Sequence, residues 1–202
     1  TVFAVEPVQP DRGGEGGDFQ ISNADFIAAV FPLLPADAFA GVCAKSNDLS
    51  KGGWLAARAD QFAEHLAAAN NNYLNCSSFY LGDDGSFKAR KVQFSACHFL
   101  MLDDLGTKVA MERLNGLELS WLIETSPGNH QGGIILADPL SDGALAEQLL
   151  KAIIDADLCD AGSTGPLSRW ARLPVAINGK PKYAKEDGSP FQCRLVEWRP
   201  DK

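Results

Sequence analysis

Two adjacent carboxylates, Asp103 and Asp104, close the segment FLMLDDLGTK that runs from Phe99 to Lys108. The apolar residues before them read as a buried strand, so two negative charges stand together at the mouth of a core element. Such a pair is costly unless something positive compensates it, and a divalent cation is the usual compensation. Adjacent residues on a regular strand point to opposite faces. The pair can therefore serve one metal site only at a strand end or bulge, and Gly106 just downstream suits such an end. Two carboxylates with a third from elsewhere make the hard oxygen site that Mg²⁺ or Mn²⁺ occupies, often as a pair of ions where phosphoryl groups are transferred. Asp160, in the loop ADLCDAGSTG, is the candidate third carboxylate, with Asp155 and Asp157 as nearby competitors. The plain alternative is an exposed Asp-Asp-Leu-Gly turn that holds no metal.

Two further segments carry groups suited to phosphate. Ser126-Pro127-Gly128-Asn129 joins two apolar stretches through small residues, leaving backbone N–H groups free to face an anion. Farther on, RWARLPVAINGKPKY spaces Arg169, Arg172, Lys180 and Lys182 among apolar residues. That spacing offers guanidinium forks and ammonium point charges to a triphosphate; a solvated basic face is the competing reading.

The elements that must position these groups alternate in type. The apolar spacing predicts amphipathic helices over Asn23 to Leu34 and Trp54 to Ala69, the second ended by Asn70 to Asn72. Tyr73 to Leu81 reads as a strand closed by the turn Gly82-Asp83-Asp84-Gly85, and Ala89 to Ser95 as a short helix. Strands follow at the carboxylate segment, at Leu119 to Glu124 and at Gln131 to Ala137. Ser141 or Asp142 caps a helix through Leu145, Leu149 and Ile153, and Phe191 to Trp198 forms a closing strand. This pattern predicts an α+β sheet covered on one face, of the split βαβ type, rather than a doubly wound parallel sheet. Residues 1–20, Gly- and charge-rich without periodicity, read as a flexible lead-in, and 21–202 as a single domain.

At 202 residues and 46% hydrophobic content the chain can bury a full core. It has no apolar run of membrane-spanning length and no signal-peptide pattern, so a soluble protein without a membrane partner is expected. The five cysteines are odd in number and form no Cys-x-x-Cys pair, which predicts reduced thiols and a cytoplasmic location. A net charge of −8 argues against coating nucleic acid by bulk electrostatics. Residues 168–202 nevertheless hold eight basic against four acidic side chains, so an anionic ligand is expected to contact that part.

Taken in order, DDLGTK, ETSPGNHQ and an aspartate loop followed by RLPVAINGKPKY resemble the archaeo-eukaryotic primase superfamily. The chain looks closest to the RepB-type primase and primase-polymerase catalytic domains of plasmids and phages. The likeness spans about Tyr73 to Trp198. It departs from the common pattern in three places: Asp-Asp replaces Asp-x-Asp, as in the RepB-type branch; Gln131 stands where the nucleotide-contacting histidine usually falls; and Arg172-Leu173-Pro174 lacks the following glycine. The resemblance implies an RRM-like mixed or antiparallel catalytic sheet flanked by helices, here with an N-terminal helical or αβ subdomain. It further implies template-directed, two-metal nucleotidyl transfer from nucleoside triphosphates on single-stranded DNA. Asp103, Asp104 and Asp160 would hold two Mg²⁺ or Mn²⁺ ions. Ser126, Gly128, Asn129 and Gln131 would line the phosphate and sugar, and Arg172, Asn178 and Lys180 would bind the triphosphate. A helicase domain or other replication proteins are the candidate partners. The missing initiator methionine and abrupt Pro-Asp-Lys end read as an excised catalytic domain.

Two rival functions remain at this level: a carboxylate–metal nuclease, and an inactive nucleotide- or DNA-binding module of the same fold. A relaxase is disfavoured, because His65, His98 and His130 are scattered rather than clustered.

Overall fold

The structure, a computed structural model, describes residues 20–48, 53–163 and 165–202. All of the expected lead-in except Gln20 lies outside them. In chain order the elements are α1 (Asn23–Val30), β1 (Ala38–Lys45), β2 (Ala57–Arg58), α2 (Ala59–Phe62), β3 (Asn71–Tyr80), β4 (Phe94–Leu105), β5 (Trp121–Ser126) and β6 (Asn129–Leu140). They continue with α3 (Gly143–Asp155), β7 (Trp170–Arg172), β8 (Ile177–Asn178), β9 (Phe191–Gln192) and β10 (Arg194–Trp198). The architecture is α+β.

One curled antiparallel sheet dominates, in the order β10-β5-β6-β4-β3-β1-β2. Its decisive irregularity lies between β3 and β4. These strands pair over Ser77 to Phe79 and then part, and β7 takes the vacated edge of β3 over Tyr73 to Asn75. Beyond the parting β4 pairs only with β6, so its carboxylate end faces β7 across a gap.

Alternation along β4 decides what covers the sheet. Phe99 and Met101 join Phe26, Ile27 and Val30 of α1 in one core, while Leu100 packs with Ala146 and Leu150 of α3. Both faces are therefore covered, where the sequence pattern predicted one. Trp121 fits into the first core because β6 carries a glycine opposite it: a Cβ on Gly133 would fall inside the indole.

Several expected elements differ for local reasons. Helix α1 is capped by Ser22, whose Oγ accepts from Asp25 N, and ends at Val30 rather than Leu34, because the residue before Pro32 is driven out of the helical region. The helix expected over Trp54 to Ala69 is replaced by β2, one turn of α2 and a 3₁₀ turn at Ala63–His65. Arg58 and Ala57 pair with Gly41 and Val42 at the sheet edge, and this pairing overrides the helical spacing. Asn71 and Asn72 do not stop a helix; they begin β3, wholly buried, with amides donating to the carbonyls of Ser46, Ala67 and Val175. The helix expected at Ala89 to Ser95 is a single 3₁₀ turn, Lys91–Gln93. The closing strand divides in two, because Cys193 N turns away to bond Ala176 O.

Replacing Gly133 by alanine overpacks the Trp121 site, and a loss of about 1–3 kcal/mol is expected in a urea unfolding curve. His98 supplies a pH-dependent counterpart. Its Nε2 lies 2.9 Å from Ser78 Oγ and its ring packs 4.4 Å from Phe31, and burial pushes its pKa down from 6.5 to about 4. The unfolded imidazole takes up a proton below pH 6.5 and the folded one only below about 4, so stability falls as pH drops through that window. The full effect is about 3 kcal/mol, and His98→Gln is expected to remove this slope from stability measured against pH.

Candidate active site

The carboxylate pair sits at a bulge. The β4–β6 register shifts between Leu102 and Leu105, and Asp104 adopts φ +56°, a left-handed conformation that aspartate tolerates better than most residues. Its carbonyl collects the N–H groups of Lys108 (3.0 Å) and Val109 (3.1 Å), which hold the reversed chain in place. The bulge turns both carboxylates toward one side. Asn129 Nδ2 donates to Asp104 Oδ1 (3.1 Å) and Gln131 Nε2 to Asp103 Oδ1 (3.0 Å), and residues two apart on β6 share a face.

The turn after β4 and the Ser126–Asn129 turn are pressed together. A Cβ on Gly106, at φ +86°, would meet Gly128 O at 2.5 Å, so only glycine lets the two hairpin ends approach this closely. Thr107 Oγ1 donates across the contact to Asn129 Oδ1.

Two cations offset most of the charge of the acidic cluster. Lys108 Nζ lies 2.7 Å from Asp104 Oδ2 and 3.2 Å from Asp160 Oδ1, joining the strand-end carboxylate to the loop carboxylate. Arg169 donates to Asp103 Oδ2 (3.0 Å), Ser163 Oγ and Gly162 O, fastening the loop beside β7. The backbone completes the junction: Asp160 N donates to Asp103 O (3.3 Å) and Asp103 N to Cys159 Sγ (3.3 Å). Burial pushes the Asp104 pKa up, but hydrogen bonds from Lys108 and Asn129 and the charges of Lys108 and Lys180 outweigh it and hold the carboxyl below its usual value. Paired with two carboxylates, Lys108 is raised to about 12.

Behind these groups runs a buried polar layer. Gln131 Oε1 accepts from Arg172 N (2.9 Å), so one side chain spans from the outer edge of β7 to Asp103. Arg172 is only 5% exposed; it donates to Asn71 Oδ1, Ile177 O and Asn178 Oδ1. Asn178 donates onward to Thr125 O (2.7 Å). Arg172 and Asn178, expected from the resemblance to bind a triphosphate, both spend their side chains on internal bonds here, Arg172 on Asn71, Ile177 O and Asn178, and Asn178 on Thr125 O. Ser126 is likewise buried, and the Gly128 N–H is already taken by Glu124 Oε1 (3.1 Å). Lys180 is exposed and lies close enough for its charge to act on Asp104.

The structure thus brings Asp103, Asp104, Asp160, Asn129, Gln131 and Lys180 to one locality and withdraws Ser126, Arg172 and Asn178 beneath it. Asp155 instead pairs with Lys151 and Asp157 with Arg113, away from the cluster. Lys108 is a site residue that the sequence marks only by its i to i+4 spacing from Asp104. Arg169 stands out in the sequence only as part of the basic run.

Among the described residues no three acidic, histidine or cysteine side chains are drawn into a ready-made metal cage. The donor set still fits a hard cation. Asp104 and Asp160 already share one ammonium, all the donors are carboxylate oxygens, and the Lys108 side chain between them is 61% exposed.

A model of the RepB DNA-primase N-terminal domain family matches residues 73–200, a span holding every residue of this cluster. The chain belongs to that family. Solved structures agree in fold. The primase-polymerase domain of cyanophage S-2L matches at TM-score 0.55 and 12% identity over 89% of this chain and 93% of that one. The catalytic domain of primase RepB′ in complex with initiator DNA matches at 0.54 and 16% identity, over 89% and 87%. A second primase RepB′ structure matches at 0.55 and 16% identity; the chain covers 57% of its length. No curated protein sequence matches significantly. Family and fold are those of DNA primases.

The lowered pKa of Asp104 gives a testable sign. Its carboxylate stabilises the fold above pH 3.8, and that contribution is lost as pH falls through the lower folded value. Asp104→Asn is therefore expected to flatten the acid limb of a melting-temperature profile below about pH 4.

Proposed function

We propose that this RepB-family domain catalyses template-directed nucleotidyl transfer, joining nucleoside triphosphates on single-stranded DNA in phage or plasmid replication. The observation that carries the reading is the meeting of Asp103, Asp104 and Asp160 around Lys108 and Arg169, beside the Asn129 turn and Lys180. Asp103, Asp104 and Asp160 would hold Mg²⁺ or Mn²⁺, which when bound supplies activation of the attacking 3′-hydroxyl and stabilisation of the departing pyrophosphate.

The remaining work falls to the chain's own groups. Lys180 draws the triphosphate in, and Lys108, released from the carboxylates, becomes a second cation for it. Asn129 and Gln131 fix the carboxylate orientations, while Arg172 and Asn178 act through them as positioning residues. No protein nucleophile is required. The thiols are poor candidates for one, since burial pushes Cys97 and Cys193 up to about 11. These unpaired buried thiols suit a reducing, cytoplasmic compartment. Among the described residues no helix is long and apolar enough to cross a membrane. Residues 21–202 would act as one catalytic unit, working beside a helicase domain or other replication proteins.

The test is incubation with template, Mn²⁺ and labelled nucleotides. The parent should extend primers or form dinucleotides, and Asp104→Asn and Asp160→Asn should each lower incorporation on the order of 10²–10³-fold while melting cooperatively at neutral pH. Full activity in either variant refutes the metal assignment. Shortening of the DNA instead of extension identifies the nuclease alternative.

A further inference from the structure

The four tryptophans divide by environment. Trp121 and Trp198 are buried in the core with Phe26. Trp54 is 52% exposed and Trp170 half-buried, and neither belongs to a core cluster. Their rings lie nearly parallel, at 20°, with centroids 6.0 Å apart, and Tyr73 meets Trp54 edge-on at 4.8 Å. Two cations border the group: Lys45 Nζ is 4.8 Å from the Trp54 ring centroid, and the Arg172 guanidinium is 4.9 Å from that of Tyr73.

The aromatic group is connected to the acidic cluster along the chain and through the polar layer. Trp170 directly follows Arg169, whose guanidinium holds Asp103, and Arg172 beneath Tyr73 leads through Asn178 to Thr125 at the base of the Asn129 turn. Asn75, cross-strand partner of Trp170 on the same face, is fully buried with its Nδ2 donor unpartnered. One exposed and one half-buried indole, nearly parallel and with the Lys45 ammonium over the first, suit single-stranded nucleic acid, whose bases all present a π-face and whose backbone is anionic. In a chain of net charge −8 a grip based on stacking also avoids the need for a broad basic surface.

We infer that Trp54 and Trp170 form a stacking platform for bases of the single-stranded DNA template as it approaches the carboxylates. The inference rests on the polymerase reading above. Because stacking carries much of the affinity, binding should depend only weakly on salt.

The accessible tryptophans supply the probe. The full chain is titrated with an oligonucleotide of about 12 deoxythymidines, followed by intrinsic fluorescence quenching and by anisotropy of a labelled oligonucleotide. Trp54→Leu and Trp170→Leu should each weaken binding by roughly five- to one-hundred-fold with an unchanged salt slope, the range expected for losing one stacked base. Trp54→Phe should recover part of the loss, and Mn²⁺-dependent nucleoside triphosphate binding should stay at the parent value. The conservative Trp54→Phe and Trp170→Phe pair decides the matter if a leucine variant misfolds. Parental oligonucleotide affinity in the well-folded variants overturns the platform. So does an equal loss of triphosphate binding, which would assign the rings to the incoming base, and so does an absence of quenching, which would leave the surface to a protein partner. Failure of the polymerase reading looks different: oligonucleotide binding remains tryptophan-dependent while Asp104→Asn incorporates nucleotides normally.

Discussion

Three carboxylates that repel one another are kept in one place by two cations, and much of the surrounding structure serves that compensation. Lys108 faces Asp104 and Asp160, and Arg169 faces Asp103. Each cation comes from a different segment, so charge balance also ties together the β4 turn, the aspartate loop and the start of β7. Removing one member would leave a partly desolvated charge without its counterpart, which costs more than the pair gains when intact. Lys108 is the more exposed member, with most of its side chain meeting solvent, whereas Arg169 is bound on three sides.

The parting of β3 and β4 creates the room for this cluster. Where the ladder opens, β7 repairs one exposed edge of β3, and side chains bridge what backbone pairing no longer reaches. Gln131 is central to that repair, accepting from the β7 backbone and donating to Asp103. A histidine here could not reproduce both bonds at the same two points, since its ring nitrogens diverge differently from an amide. The residue that departs from the superfamily pattern is thus fitted to its surroundings. Arg172, buried among Asn71, Asn178 and the Ile177 carbonyl, extends the same polar layer toward β8.

The strands nearest the chemistry were legible in the sequence because apolar runs, turn glycines and carboxylates all marked the same boundaries. The bulge at Asp103-Asp104 was legible as a condition, since adjacent carboxylates can cooperate only where regular alternation fails. The segment after Trp54 was not. Its helical spacing was real, but edge pairing with β1 won, and pairing partners distant in sequence leave no local trace. Burial of Arg172 and Asn178 was equally hidden, because the basic run has the same composition whether its guanidinium faces solvent or Asn71. Lys108 shows the opposite case: the signal stood in plain view, yet its role required the loop aspartate to arrive from 52 residues downstream.

The left-handed residue at the strand end has a bearing on how the superfamily's motifs vary. A chain that reverses direction at Asp104 brings neighbouring side chains to a common side, an effect that an intervening residue achieves on an unbroken strand. Contiguous and interrupted acidic motifs can therefore be interchangeable solutions, one using backbone twist where the other uses an additional residue. In this chain the spot where the oxygens converge is thus set by backbone twist at one residue, and straightening that residue would separate the two carboxylates without altering a single side chain.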